Sequence, residues 1–148
     1  DVTVGRNLIV GDVLGEIGQT GIALGPHVHF EVRIGVNDYA HTRNPILWMI
    51  PLAGRGALAG RYADAKNVLV QGAPIKIYRD DGTYIGETET YSRDKYAAVI
   101  SDDEMGENFA FPDLPAGDYV IKVDGTQFAA KAKIEEGKLT FVDLGGLG

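Results

Sequence analysis

The chain of 148 residues is long enough for one globular domain or two small ones, and its 45% hydrophobic and 24% charged residues are ordinary values for packed proteins. The formal charge of −7 without a Lys/Arg cluster argues against a nucleic-acid partner, no apolar run is long enough for a membrane span, and the lack of cysteine rules out disulfides. The 20 glycines follow no repeat and indicate many tight turns between short strands, so we predict an all-β protein.

Short strands separated by glycine turns are predicted for the first 34 residues. The last of these strands is the clearest, because its apolar and polar residues alternate with a period of two and so face opposite sides of a sheet. Val28 and Phe30 belong to the set expected to face a core, and His27 and His29 belong to the polar set. The predicted strands cover residues 2–4, 8–9, 13–17 and 27–34.

An apolar run between two prolines follows at residues 44–52 (NPILWMIPL), and it suits a short helical turn or a strap that closes a core. The Gly- and Ala-rich stretch 53–66 comes next, and it is either a linker or the first strand of a second domain, at residues 58–62. We therefore predict a first domain at residues 1–52, this connection at 53–66, and a second domain at 67–148.

The second domain is predicted to be a seven-stranded antiparallel β-sandwich, because short strands recur at regular spacing with glycine-containing turns between them. One such turn is Asp80-Asp81-Gly82. The strands are expected at residues 68–71, 75–78, 83–90, 109–111, 119–123, 128–134 and 139–144, and the insertion 91–106 can hold a further strand at 97–100.

The pair His27 and His29 is the first candidate for chemistry. Side chains two residues apart on a strand project from one face, so the two imidazoles can share a metal ion or divide the roles of ligand and proton carrier. A bare His-x-His also occurs by chance in many surface strands. The third histidine, His41, is expected to be a surface loop residue.

The sequence around the pair is more specific than the pair itself. Val4-Gly5, Gly18-Gln19-Thr20-Gly21, residues 25–33 (GPHVHFEVR) and Asn44-Pro45 follow one another in an ordered pattern. With it, residues 2–50 resemble the C-terminal half of lysostaphin-like (LytM-type) zinc metallopeptidase domains, which hydrolyse peptide cross-links in peptidoglycan. The resemblance implies a partial peptidase β-sheet domain, an extracellular or cell-envelope location, and a peptidoglycan peptide or cell-wall surface as partner.

By this resemblance His29 is a zinc ligand and His27 is the catalytic histidine. The family's other two ligands come from an upstream H-x-x-x-D segment, and no histidine precedes His27. A catalytic zinc needs about three protein ligands, so we expect zinc in the complete parent domain and no activity from this chain alone. Because Asp1 falls within the pattern, we expect a fragment of a longer enzyme, and a protein that has lost the site is the alternative.

Residues 72–78 (GAPIKIY) and 108–119 (NFAFPDLPAGDY) resemble carboxypeptidase-regulatory-like domains, which are transthyretin-like (prealbumin-like) β-sandwiches of extracellular proteins. Aromatic and aliphatic side chains in such a pattern fill the sandwich core, and this resemblance says much about fold and little about function. The expected core residues are Phe109, Phe111, Leu114 and Tyr119.

Two further clusters are weaker candidates. The acidic turn offers carboxylates for calcium but has no D-x-D-x-D-G loop, so a solvated turn is favoured there; it comprises Asp102, Asp103, Glu104 and Glu107. A saccharide-binding face is the second candidate, although aromatic residues on strands more often fill cores or pair across strands. Its members would be Tyr78, Tyr84, Tyr91 and Tyr96.

Two functions follow from these patterns. The first is the C-terminal portion of an exported peptidoglycan zinc endopeptidase. The second is a non-catalytic extracellular structural or adhesive module, which can form homo-oligomers because exposed β-edges are able to pair with another copy.

Overall fold

The computed structural model describes residues 2–21, 24–91 and 99–145, and its backbone separates into two compact units, Asp1–Phe30 and Glu31–Gly148. Nine strands and two 3-10 helices occur in the described residues, and none of these helices is long and apolar enough to span a membrane. The strands are β1 (Val32–Arg33), β2 (Thr42–Arg43), β3 (Arg55–Arg61), β4 (Pro74–Arg79), β5 (Tyr84–Glu89), β6 (Phe109–Pro115), β7 (Gly117–Val123), β8 (Ala129–Ile134) and β9 (Leu139–Asp143). The helices are Tyr39–His41 and Pro45–Leu47.

The first unit contains no strand in its described residues, only an isolated antiparallel bridge between Gly18 and His27. The strands predicted at residues 2–4, 8–9 and 13–17 are therefore wrong, and of the strand predicted at 27–34 only Val32–Arg33 forms, paired with β2. Alternating side chains do not make a strand unless a neighbouring strand completes its hydrogen bonds. Val28 and Phe30, expected to face a core, are exposed.

The second unit contains the seven-stranded β-sandwich that the sequence predicts. One sheet has the order β6-β3-β9 and the other has the order β5-β4-β7-β8. The first strand is β3, so residues 53–66 contain a strand, whereas the strand predicted at 68–71 is replaced by a single bridge between Ala63 and Leu69. One pairing differs from the prediction, because β3 and β9 run parallel while the other pairs are antiparallel. The division at 1–52, 53–66 and 67–148 stays a prediction.

The core lies between the two sheets and is filled by the inward-facing residues of both. Phe109, Phe111, Leu114 and Tyr119 are buried, as expected from the sequence, and they join fully buried aliphatic side chains of β3, β4 and β7. Burying each such side chain is worth roughly 1.5–3 kcal/mol. The Tyr119 hydroxyl keeps a partner, because it donates to the Pro115 carbonyl at 2.6 Å.

Buried Asn108 fastens the loop that follows β3. Its Oδ1 accepts from the Tyr62 amide at 2.8 Å, and its Nδ2 donates to the carbonyls of Tyr62 and Val70 at 3.0 and 2.9 Å. The amide group is therefore satisfied although the residue is fully buried. This contact holds the chain between β3 and β4 against the start of β6.

A strap, residues 44–52, lies against β3 and β6 on the outer face of the three-stranded sheet. Ala57, Ala59 and Ala110 point away from the core, on the opposite face from Leu58, yet all three are buried. The helix Pro45–Leu47 contacts both β3 and β6 there. Asn44 caps this helix by accepting from the Ile46 amide at 3.0 Å. The small side chains of these three alanines thus let residues 44–52, for which the sequence predicts a helical turn or a strap, approach the sheet closely.

Candidate functional site

The two histidines of the first unit lie side by side. The ring centroids of His27 and His29 are 6.4 Å apart, and His27 Nδ1 lies 2.9 Å from the Gly25 carbonyl oxygen. A carbonyl accepts, so this contact favours the tautomer in which Nδ1 carries the proton and Nε2 keeps its lone pair. In metal-binding histidines, the ring nitrogen that does not bind the metal donates a hydrogen bond of the same kind to a carbonyl or carboxylate oxygen. The catalytic role of His27 and the zinc-ligand role of His29 stay predictions.

The third histidine belongs to the second unit. His41 ends the helix Tyr39–His41, and its Nδ1 lies 2.6 Å from Asp38 Oδ1. This hydrogen bond lowers the pKa of Asp38. His41 is thus a partly exposed residue in a helical turn rather than in the loop that the sequence suggested.

A zinc ion fits the described residues only in part. No three His, Cys, Asp or Glu side chains are gathered in residues 2–21, 24–91 and 99–145. The histidine pair offers two nitrogens at most, and a catalytic zinc takes about three protein ligands and one open position. We therefore assign no catalytic step to a metal in this chain.

Two carboxylates of the acidic turn, those of Asp102 and Glu107, accept hydrogen bonds from backbone amides of the same turn. Asp102 Oδ1 accepts from the amides of Glu104 and Met105 at 3.0 and 3.1 Å. Glu107 differs from the solvated residue that the sequence predicted, because it is fully buried and accepts from the Tyr91 hydroxyl at 2.6 Å and from the Asp102 amide at 3.1 Å. Burial raises the pKa values of Glu107 and Tyr91. Calcium binding at Asp102, Asp103 and Glu104 stays the less favoured alternative.

The tyrosines proposed for saccharide binding do not form one surface. Tyr78 and Tyr84 pair across β4 and β5 on the outer sheet face, with ring centroids 5.6 Å apart at 64°. Tyr91 instead lies beside buried Glu107, and Tyr96 is outside the described residues. Cross-strand packing, the commoner role of strand aromatics, describes Tyr78 and Tyr84.

Sequence reasoning missed the junction, which we define as Thr42, Arg43 and Asn44 with the residues of 91–107 that they touch. Arg43 Nη2 donates to Asp103 Oδ2 at 2.8 Å, and only 5% of the Arg43 side chain is exposed. The Ile100 amide donates to the Thr42 carbonyl at 3.2 Å, and Asn44 Nδ2 lies 3.4 Å from the Tyr91 hydroxyl. Arg43 and Asp103 are sixty positions apart, so only the fold brings them together.

The comparisons with known proteins return distant structures only. No protein-family model matches the chain, and no curated protein matches it. The Bacillus anthracis TIE protein is 18% identical with a TM-score of 0.44, over 62% of this chain and 16% of that one. The minor pilin GBS52 of Streptococcus agalactiae is 19% identical with a TM-score of 0.42, over 66% of this chain and 45% of that one.

A third similar structure is the 5-hydroxyisourate hydrolase of Klebsiella pneumoniae, 13% identical with a TM-score of 0.35 over 66% of this chain and 91% of that one. The chain thus spans less than half of the first two proteins. Identities and TM-scores this low carry nothing of what those proteins do over to this chain.

Proposed function

We propose that the chain contributes a non-catalytic structural module to an extracellular or cell-envelope protein. In this proposal the β-sandwich, of the transthyretin-like kind, holds the strap and the junction rigidly and so fixes the chain that enters them. The observation that carries the proposal is the attachment of the chain before β3: residues 42–44 are buried, the helix Pro45–Leu47 contacts β3 and β6, and the Leu52 amide is hydrogen-bonded to Asp113. A flexible linker would be solvated and would lack such contacts.

The strap contacts the sheet at several points, and its helix Pro45–Leu47 packs against β3 and β6. Ile46, Met49, Ile50 and Pro51 line one small cleft together with Ala57, Pro112 and Asp113 of the sheet. At the end of the strap the Leu52 amide donates to Asp113 Oδ1 at 2.9 Å. At its beginning, nearly buried Arg43 is paired with Asp103. The Leu52 end of the strap is therefore bonded to β6, and Arg43, the residue before its other end, is bonded to the loop that contains Asp103.

Hydrogen exchange on the full chain tests whether the strap is rigid. Ala57 is 3% exposed under the strap, so Ala57→Leu places a larger side chain where there is no room. We expect the strap amides to exchange at least about tenfold faster in this variant, while amides of β4 and β7 keep their protection. Ala129→Leu, on the exposed edge of β8, is the matched control and should leave the strap unchanged. Wild-type strap amides that exchange as fast as unfolded peptides would contradict the proposal.

A cell-wall assay tests whether the module is non-catalytic. Purified peptidoglycan incubated with the full chain and added zinc should release no soluble peptides. If the wild type released soluble peptides and the variant His29→Ala did not, the proposed non-catalytic function would be overturned.

The second candidate function is the C-terminal portion of an exported zinc endopeptidase of the lysostaphin-like type. Its support is the resemblance of residues 2–50 and the Nδ1 contact of His27 with Gly25, which leaves Nε2 of His27 for metal or proton. Zinc titration of the full chain tests it by calorimetry. We expect weak binding that dialysis reverses and that His27→Ala and His29→Ala each reduce further. If neither substitution changed the affinity for zinc, this candidate function would be excluded.

A further inference from the structure

The four-stranded sheet ends in two edges of opposite charge. The edge strand β5 carries Glu87 and Glu89, and the edge strand β8 carries Lys131 and Lys133. All four residues are exposed. Within the described part of the chain, β5 pairs only with β4 and β8 pairs only with β7. Unpaired edges of this kind are sites for pairing with another chain.

The charged residues are also those whose backbone groups point outward. Just before β8, the Phe128 carbonyl accepts from the Val123 amide of β7, and within β8 the Lys133 carbonyl accepts from the Thr140 hydroxyl on the other side. Since backbone direction alternates along a strand, Lys131 and Lys133 turn their amides and carbonyls away from β7. The bond from Thr140 uses one of the two lone pairs of the Lys133 carbonyl, and it places Thr140 of β9 beside β8 at this end of the edge.

The same alternation holds on β5. The Thr90 amide donates to the Ala73 carbonyl at the β4 side, so Thr88 and Gly86 also face β4. Glu87 and Glu89 therefore turn their backbone groups to the free side.

Strand direction permits the two edges to join. β5 and β7 each run antiparallel to β4, and β8 runs antiparallel to β7, so β5 and β8 point in opposite directions. A second copy placed beside the first by translation thus presents its β5 antiparallel to β8. In the register that sets Lys131 opposite Glu89, Lys133 falls opposite Glu87.

Charge selects this arrangement over the symmetric ones. Pairing β5 with β5, or β8 with β8, sets like charges opposite each other, which destabilises a sheet. Within one copy Lys133 already faces Asp118, and Glu87 already faces Lys76. The mixed pairing continues this row as Asp118, Lys133, then Glu87 and Lys76 of the next copy, with alternating sign.

We propose that copies of this chain associate edge to edge, with β8 of one copy joined to β5 of the next. The inference rests on the proposed structural function and names its partner as a second copy. Because the two joined edges differ, the contact is head-to-tail and extends into an open chain of copies unless rotation closes it into a ring.

Sedimentation velocity of the full chain over a wide concentration range tests this arrangement. At low ionic strength the wild type should grow beyond a dimer as concentration rises, and high salt should reduce the growth. The double variant Lys131→Glu with Lys133→Glu has two acidic edges, and Glu87→Lys with Glu89→Lys has two basic ones. Each variant alone should associate at least about tenfold more weakly, and an equimolar mixture of the two should recover association.

The control matched to the Lys131→Glu and Lys133→Glu variant is Lys66→Glu with Lys138→Glu, which makes the same change in net charge at exposed positions off both edges. It should associate like the wild type. A wild type that stays monomeric, edge variants that associate unchanged, a mixture that does not recover, or growth that stops at a dimer would each overturn the proposal. Strap exchange and peptidoglycan release are separate measurements, so failure of edge pairing is distinguishable from failure of the proposed function.

Discussion

At the scale of single residues, Gly60 determines how the core closes. Its cross-strand partner Phe109 is fully buried, and a Cβ on residue 60 would lie 2.7 Å from Cε1 of that ring. We expect Gly60→Ala to lower the free energy of unfolding by about 1–3 kcal/mol, because the ring must move within a packed core. Gly86→Ala on β5 is the control, since a Cβ there meets nothing within 4 Å. Equal losses in urea unfolding of the two variants would contradict the packing argument.

Glu107 gives the stability a pH dependence. Burial, the largest influence, raises the pKa of this carboxyl above its ordinary value of 4.5, although hydrogen bonds from Tyr91 and the Asp102 amide lower it. The folded state therefore holds the proton more tightly than the unfolded state does. Stability that is fully present below pH 4.5 is lost as the pH rises through the folded pKa.

Glu107→Gln cannot ionise, so it removes this loss. Urea unfolding from acidic to neutral pH should show a decline for the wild type that is absent from the variant, with a difference in slope of at most about 1.4 kcal/mol per pH unit. Parallel pH profiles of the two proteins would show that Glu107 does not carry the effect.

At the scale of elements, the end of the strap is held by a β6 residue with unusual backbone geometry. Asp113 has a φ of 47°, in the left-handed region that Asp and Asn tolerate better than other side chains, and its Oδ1 accepts from the Leu52 amide. Asp113→Ala loses the bond and strains the backbone, so we expect a loss of about 1–3 kcal/mol in the free energy of unfolding. Asp113→Asn keeps a side-chain acceptor and also tolerates the left-handed backbone conformation. Its loss in the free energy of unfolding should therefore stay below about 1 kcal/mol. Thermal unfolding compares them, and an Asn variant as unstable as the Ala variant would refute this assignment.

The elements that the sequence predicts well are those specified by nearby residues. Strands β4, β5 and β7 follow from alternation and from glycine turns such as Asp80-Asp81-Gly82, which act over a few positions. The contact of Arg43 with Asp103, the burial of Glu107 and the parallel partner of β3 depend on residues far apart in the chain, so no local pattern could predict them.

At the scale of the whole molecule, the two units should differ in protection. The described residues of 2–30 are joined mainly by short-range bonds, such as the Arg6 amide to the Thr3 carbonyl, and most of their large apolar side chains are exposed. Amides there should exchange almost as fast as in an unfolded chain, whereas those of β4 and β7 should open only on global unfolding. Mass spectrometry of exchange in the full chain measures this. Strong protection within residues 2–30 would contradict the prediction.

The parallel pairing of β3 with β9 has a mechanical consequence. The sandwich begins with β3 and ends with β9, and the two strands lie side by side from Ala57 and Leu139 to Arg61 and Asp143. A pull on the chain before β3 and after β9 draws these strands past each other along their length. The hydrogen bonds between β3 and β9 then bear the tension together. In an antiparallel hairpin pulled at its two ends, the hydrogen bonds would instead open one after another. A module used as a spacer would resist stretching through this pair.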